Sequence, residues 1–172
     1  MRYNVAQLLK EPIGATREKS IEADIRALDE AIKPLGLLTG HVNLLRTDAG
    51  ILVRGWVRVE VELLCSCCLT PFAWPLEVVL EDEFRPSVLI GVTKVARDEI
   101  VDPALRIDEH HVLDLRELIR QQLLLALPMH PLCRPDCAGL CPQCGQDLNE
   151  GPCECIKEPD PRWAILQDLK LE

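Results

Sequence analysis

The sequence predicts an α+β protein: an antiparallel β-meander or small barrel-like sheet packed by a helix, with a C-terminal cysteine-rich zinc module. Three observations carry this. Residues 51–63 alternate apolar and polar side chains, residues 115–127 repeat leucine and isoleucine at helical intervals, and six of the nine cysteines fall between Pro131 and Cys155. With 172 residues and 48% hydrophobic content, the chain can build one ordinary core and a small appendage. We expect a core domain over 1–127, with an acidic loop at about 85–111 and a helix at about 114–127, followed by a zinc-binding module and short terminal helix over 128–172.

Residues 1–38 read as mixed. Ile21, Ile25, Leu28 and Ile32 stand at helical spacing, but Pro34 and Gly36 end the segment with no strong cap. Ile51, Val53, Gly55, Val57, Val59, Val61 and Leu63 then take every second position, with Arg54, Trp56, Arg58, Glu60 and Glu62 between them. One face of a long strand is buried and the other mostly solvated. Asp48-Ala-Gly50 is a turn that pairs this strand with His41–Arg46. After Pro71, the residues Trp74, Leu76, Val78, Leu80 and Phe84 alternate again and complete a three-strand meander.

From Arg85 to His111 no clean period survives, and acidic residues, Pro86 and Pro103 mark a linker. His110 and His111 lack partners at fixed spacing and read as exposed polar residues, while His130 is a somewhat better spare ligand. Asp114 is placed to cap a helix, with Glu117 in the capping-box position. Leu115, Leu118, Ile119, Leu123 and Leu127 form its apolar face, and Pro128 stops it. Asp160-Pro-Arg-Trp163 starts a terminal helix that carries Trp163, Leu166 and Leu169 along one side.

The cysteines carry the chemistry. In Cys141-Pro-Gln-Cys144-Gly a two-residue gap lets two thiolates converge on one cation, and the glycine relaxes the turn. Two more ligands come from Cys153 and Cys155, the preferred pair, or from Cys133 and Cys137. Six thiols exceed the four of one tetrahedral site, so two are spare or a second ion shares a bridging thiolate. We expect about one zinc per chain, structural because four thiolates leave no open position for water or substrate. The first residues lack a secretory signal, so a reducing cytoplasm is expected, where clustered thiols mean metal rather than disulfides.

Cys65 and Cys68, with Cys67 between them, form another two-residue gap at a strand-to-strand turn. They read as a second metal half-site, as structural thiols, or as a redox pair. Redox chemistry of the thioredoxin kind needs a helix N-terminus that such a turn does not provide. Arg54, Trp56 and Arg58 line one strand face, where two guanidinium groups and an indole could hold a phosphate and stack a base. The alternative is an ordinary solvated face, since Glu60 and Glu62 follow at once. Net charge is −9, which opposes indiscriminate phosphate binding and favours basic partners. No apolar run reaches membrane-span length, and no Ser/His/Asp set, phosphate-cradling glycine loop or paired catalytic carboxylates stand in persuasive context.

Leu64-Cys65-Ser-Cys67-Cys68-Leu, Leu113-Asp-Leu-Arg-Glu-Leu118, Leu127-Pro128, Cys133, Cys137-Ala-Gly-Leu-Cys141-Pro-Gln-Cys144-Gly-Gln-Asp-Leu-Asn149, Cys153-Glu-Cys155 and Asp160-Pro-Arg-Trp163 follow one another in an order that resembles the YceD-like family, the large ribosomal subunit rRNA accumulation proteins. The likeness runs from about Gly40 to the C-terminus and is most specific in the last forty residues. That family usually carries arginine at the position of Cys67, so any role of that arginine does not transfer. The resemblance implies a non-catalytic cytoplasmic factor that supports synthesis, processing or stability of large-subunit rRNA. Its expected partners are precursor large-subunit rRNA or a ribosomal particle, with basic ribosomal proteins as further partners. A protein adaptor, or a chaperone for a basic ribosomal protein or nuclease, is the alternative, and a thiol redox protein the second.

Overall fold

The computed structural model describes residues 1–87 and 102–155. Four antiparallel strands form its centre: β2 (Thr16–Ala23), β3 (Leu38–Arg46), β4 (Ile51–Leu64) and β5 (Pro71–Pro86). A two-residue strand, β6 (Arg106–Ile107), adds in parallel to the end of β5, giving the order β2-β3-β4-β5-β6. A separate pair joins β1 (Arg2–Asn4) to β7 (Val112–Asp114). The helices are α1 (Ala6–Lys10) and α2 (Arg116–Ala126), with one 3₁₀ turn at Pro103–Leu105. Among the described residues no pairing joins β2 to β6, so the meander is longer than expected but is not shown to close into a barrel. No helix among them is long and apolar enough to cross a membrane.

Strand β4 forms as its alternation dictates. Ile51, Val53, Val57, Val59 and Val61 are buried, while Arg54, Trp56, Arg58 and Glu60 point the other way and are exposed. The hairpin into β4 turns at Thr47–Gly50, where the Thr47 hydroxyl accepts the Gly50 N–H at 2.9 Å. Gly40 and Gly55 mark a close crossing of β3 and β4: a Cβ on Gly55 would lie 2.1 Å from the His41 carbonyl oxygen.

The helical spacing of residues 21–32 does not become a helix. Ile21 belongs to β2, and Ile25 and Ile32 fill the core from turns. The aspartates explain this, because Asp24 accepts the Arg26 N–H and Asp29 the Ala31 N–H, committing the backbone to side-chain-bonded turns. Residues 103–111 are ordered as well. The Asp108 carboxylate accepts the N–H groups of His110 and Val112 and turns the chain into β7. The middle of the predicted 85–111 linker, residues 88–101, and the terminal helix with Trp163 lie outside the described residues.

Helix α2 starts at Arg116, two residues later than expected, because Asp114 is drawn into β7 opposite Arg2. Asp114 still accepts the Arg116 N–H at 3.1 Å, but Glu117 turns outward to Arg120 and makes no capping box. Burial pushes the Asp114 carboxyl up, yet the bonds from Arg116 and Arg2 prevail and hold it at about 2. Leu118, Ile119 and Leu123 bury the inner face of α2 in the same core as Phe84, Leu80 and Val57. Each such side chain contributes about 1.5–3 kcal/mol by leaving water. Leu127 is already extended ahead of Pro128, so the chain leaves the helix towards the cysteines.

Candidate metal centre

The cysteines form two centres rather than one. The first unites Cys65 and Cys68, from the β4–β5 turn, with Cys133 and Cys137, from the segment after α2. The second unites Cys141, Cys144, Cys153 and Cys155. Within each group the sulfurs all lie within 4.8 Å of one another. The downstream pair does lie with the Cys141 knuckle, whereas Cys133 and Cys137 group with Cys65 and Cys68. They complete a distant half-site on the sheet. Cys67 is exposed and belongs to neither group, and the same is true of His110 and His130, whereas His111, expected to be exposed, is half-buried and also joins neither group.

Both turns that present a Cys-x-x-Cys pair have the same backbone design. In the second centre the Gly145 N–H donates to the Cys141 carbonyl at 2.9 Å, and the Cys141 N–H donates to the Gln146 carbonyl at 2.8 Å. In the first, the Leu69 N–H donates to the Cys65 carbonyl at 3.0 Å, and the Cys65 N–H to the Thr70 carbonyl at 3.0 Å. The residue after the second cysteine is left-handed in both, Gly145 at φ 75° and Leu69 at φ 59°. Leucine there costs about 1–2 kcal/mol. The sequence offered Cys65 and Cys68 as a half-site among other readings, and the glycine that strengthens the signal at Gly145 is replaced here by Leu69.

The turn also aims N–H groups at sulfur. The backbone N–H groups of Cys68 and Cys133 hold the Cys65 thiol down to about 6, and those of Cys144 and Gln143 do the same for Cys141. Burial, with the neighbouring sulfurs, pushes Cys133 up to about 12. Cys155 is pushed up to about 12 by the sulfur of Cys144, with burial adding to it. In each centre the backbone N–H groups thus favour the charged form of the first knuckle cysteine, while burial and crowding by the other sulfurs favour the neutral form of Cys133 and Cys155, a cost that a bound cation would offset.

The donor sets fit a four-coordinate ion. Tetrahedral Zn–S bonds of about 2.3 Å place sulfurs roughly 3.8 Å apart. Cys65 and Cys137 are 3.7 Å apart, as are Cys68 and Cys133. A disulfide needs about 2.0 Å, and all nine cysteines are free thiols.

The first centre ties distant parts of the chain together. The Ser66 N–H donates to the Pro131 carbonyl at 2.8 Å, and the Leu140 N–H donates to the Cys67 carbonyl at 3.2 Å. Gly139, at φ 73°, fits against Cys67, where a Cβ would stand 3.1 Å from the carbonyl oxygen. Asn149 was not singled out by the sequence. It lies between Cys144 and Cys153, yet its side-chain N–H points at Cys137 Sγ, 3.5 Å away.

Arg54, Trp56 and Arg58 do share the exposed face of β4. The register brackets each arginine with acids: Arg54 stands in a row with Glu18 and Glu81, and Arg58 in a row with Glu22 and Glu77. The Arg54 guanidinium is bonded to Glu81 at 2.7 Å.

A sheet-and-helix body with two four-cysteine centres defines a small α+β protein whose sulfurs are arranged for holding ions. The chain belongs to the YceD family, whose model, described as large ribosomal RNA subunit accumulation protein YceD, matches residues 53–170. It is 34% identical over 139 residues to an uncharacterized protein of Mycobacterium tuberculosis, covering 81% of this chain and 65% of that relative. The chain thus spans slightly less than two thirds of that protein's length. Over 155 residues it is 28% identical to the large ribosomal RNA subunit accumulation protein YceD of Haemophilus influenzae, covering 89% of this chain and 81% of the relative. No solved structure matches the chain.

Proposed function

We propose that this chain is a non-catalytic ribosome-biogenesis factor that supports synthesis, processing or stability of large-subunit (23S-type) rRNA, and that two structural zinc ions hold its shape. Membership of the YceD family is the observation that carries the role. The zinc reading rests on sulfur: each centre gathers four cysteine sulfurs within 4.8 Å of one another, and four thiolates suit zinc and fill its coordination shell. An ion so enclosed supplies cross-linking, and catalysis requires an open position. A cytoplasmic setting accords with nine free thiols, which a reducing compartment preserves.

Depleting the protein in growing cells tests the role. The ratio of large-subunit to small-subunit rRNA should fall, and an unchanged ratio with the protein gone removes the proposal. The partner is precursor large-subunit rRNA or a ribosomal particle containing it. A second reading, an adaptor or chaperone for a basic ribosomal protein, is favoured by the acids that bracket Arg54 and Arg58. Glu81 already occupies the Arg54 guanidinium, which weakens a phosphate contact there. Filter binding to precursor rRNA across a salt series separates the two. Direct phosphate contact gives an affinity that falls steeply with salt, and no binding at low salt leaves the protein partner.

A further inference from the structure

Besides the short run from Cys137 to Cys141 and the Leu140 N–H on the Cys67 carbonyl, one side chain of the second centre's loop reaches a sulfur of the first. Asn149 belongs to the stretch that links Cys144 to Cys153, both of the second centre. Its amide is fully used. Nδ2 donates to Asp147 Oδ1 at 2.6 Å and to Cys137 Sγ at 3.5 Å, and Oδ1 accepts the Ala138 N–H at 2.8 Å. The opposite amide orientation would set oxygen against a carboxylate and a sulfur, and NH₂ against an N–H donor, so the bonding network selects this one. The stretch is itself pinned to the knuckle: the Leu148 N–H donates to the Gly139 carbonyl at 2.9 Å, and Leu140 bridges Asp147.

We propose that Asn149 is a positioning residue that couples the two centres: filling the second orders the Cys144–Cys153 loop and thereby presents an N–H donor to the Cys137 thiolate of the first. This rests on the reading that both centres bind metal. The physics is that of an outer-shell partner. A donor fixed on a ligating thiolate stabilises its charge and orients it, and loss of such a partner typically lowers metal affinity about 10–100-fold. Coupling of this kind is reciprocal, so occupancy of the first centre raises affinity at the second by the same factor.

The test loads full-length, metal-stripped protein with cobalt(II) under chelator competition, and follows cadmium-113 resonances to tell the centres apart. The wild-type chain should take two ions. Asn149→Asp keeps the acceptor for Ala138 and removes the donor to sulfur, but also sets a carboxylate oxygen against Asp147 and Cys137, so the uncharged Asn149→Ala is measured beside it and must lower first-centre affinity too. Asn149→Asp should lower affinity at the first centre by about 10–100-fold, move that centre's cadmium resonance, and leave the second resonance in place. Disabling the second centre with Cys153→Ser and Cys155→Ser should lower first-centre affinity as well, and adding Asn149→Asp to that background should change it little. First-centre affinity within twofold of wild type in Asn149→Asp or in Asn149→Ala, or full additivity of the two perturbations, overturns the coupling. Wild-type protein that takes up fewer than two ions refutes the two-zinc reading itself, a different outcome from two ions bound independently.

Discussion

Removing half of each centre in turn should destabilise the protein unequally, and the difference follows from chain geometry. The pair Cys133→Ser, Cys137→Ser opens the first centre, and Cys153→Ser, Cys155→Ser opens the second. All four positions are partly buried, so the hydroxyls meet comparable surroundings. The first centre joins residues 65 and 72 positions apart, Cys68 with Cys133 and Cys65 with Cys137. The second joins Cys144 to Cys153 across a loop of nine positions. A metal clip acts on the unfolded chain as a cross-link does, and its closure entropy grows with loop length. The chain-entropy relation assigns about 4 kcal/mol to the long closure and about 2.5 kcal/mol to the short one. Opening the first centre should therefore cost about 1.5–2 kcal/mol more, equivalent to a Tm lower by roughly 3–7 °C for a protein of this size. Thermal or urea unfolding of the zinc-loaded proteins, read by the fluorescence of Trp56 and Trp74 on the sheet, measures it. Equal losses, or a greater loss from the short loop, would refute the argument that the first centre fastens the sheet to the residues that follow α2.

Asp114 joins Arg2 of β1 to Arg116 of α2, and its carboxyl is held at about 2, well below the usual carboxylate range. Because the folded value is depressed, its stabilising contribution is present above about pH 4 and fades as pH falls towards 2. Asp114→Asn should thus be less stable than wild type at neutral pH, with the gap closing between pH 4 and 2. A gap that stays constant across that window would show that the arginines do not hold the charge. Gly139→Ala places a side chain at φ 73° and 3.1 Å from the Cys67 carbonyl. Denaturant unfolding should show a loss of about 1–2 kcal/mol, and unchanged stability would mean that the left-handed contact with the first knuckle is dispensable.

Much of the body was legible because its signals are local. The alternation over Ile51–Val61, the turn at Asp48–Gly50 and the leucine spacing of α2 each reside in one short window, and each appears in the fold at its expected place. Cys141-Pro-Gln-Cys144-Gly was equally plain. What sequence reading missed depends on partners far along the chain. β1 and β7 are three residues each, too short for a period, and exist because they pair with one another across more than a hundred positions. Asp114 was drawn into that pairing, which shifted the start of α2. Ile25 and Ile32 share a helical spacing by coincidence, since Asp24 and Asp29 had already turned the backbone. Cys65 and Cys68 were legible as a possible half-site, but not their partners: the two halves are separated by all of β5 and α2, and Leu69 occupies the position where a glycine would have strengthened the signal of a knuckle.

The long closure has a bearing on how the molecule comes into being. A growing polypeptide presents Cys65 and Cys68 many residues before Cys133 and Cys137 are added, so the two early sulfurs must wait through the synthesis of β5 and α2 for their companions. During that interval they are a bare thiol pair, open to oxidants and to mispairing with Cys67 beside them. An oxidant met in that interval reaches two sulfurs that the finished fold buries.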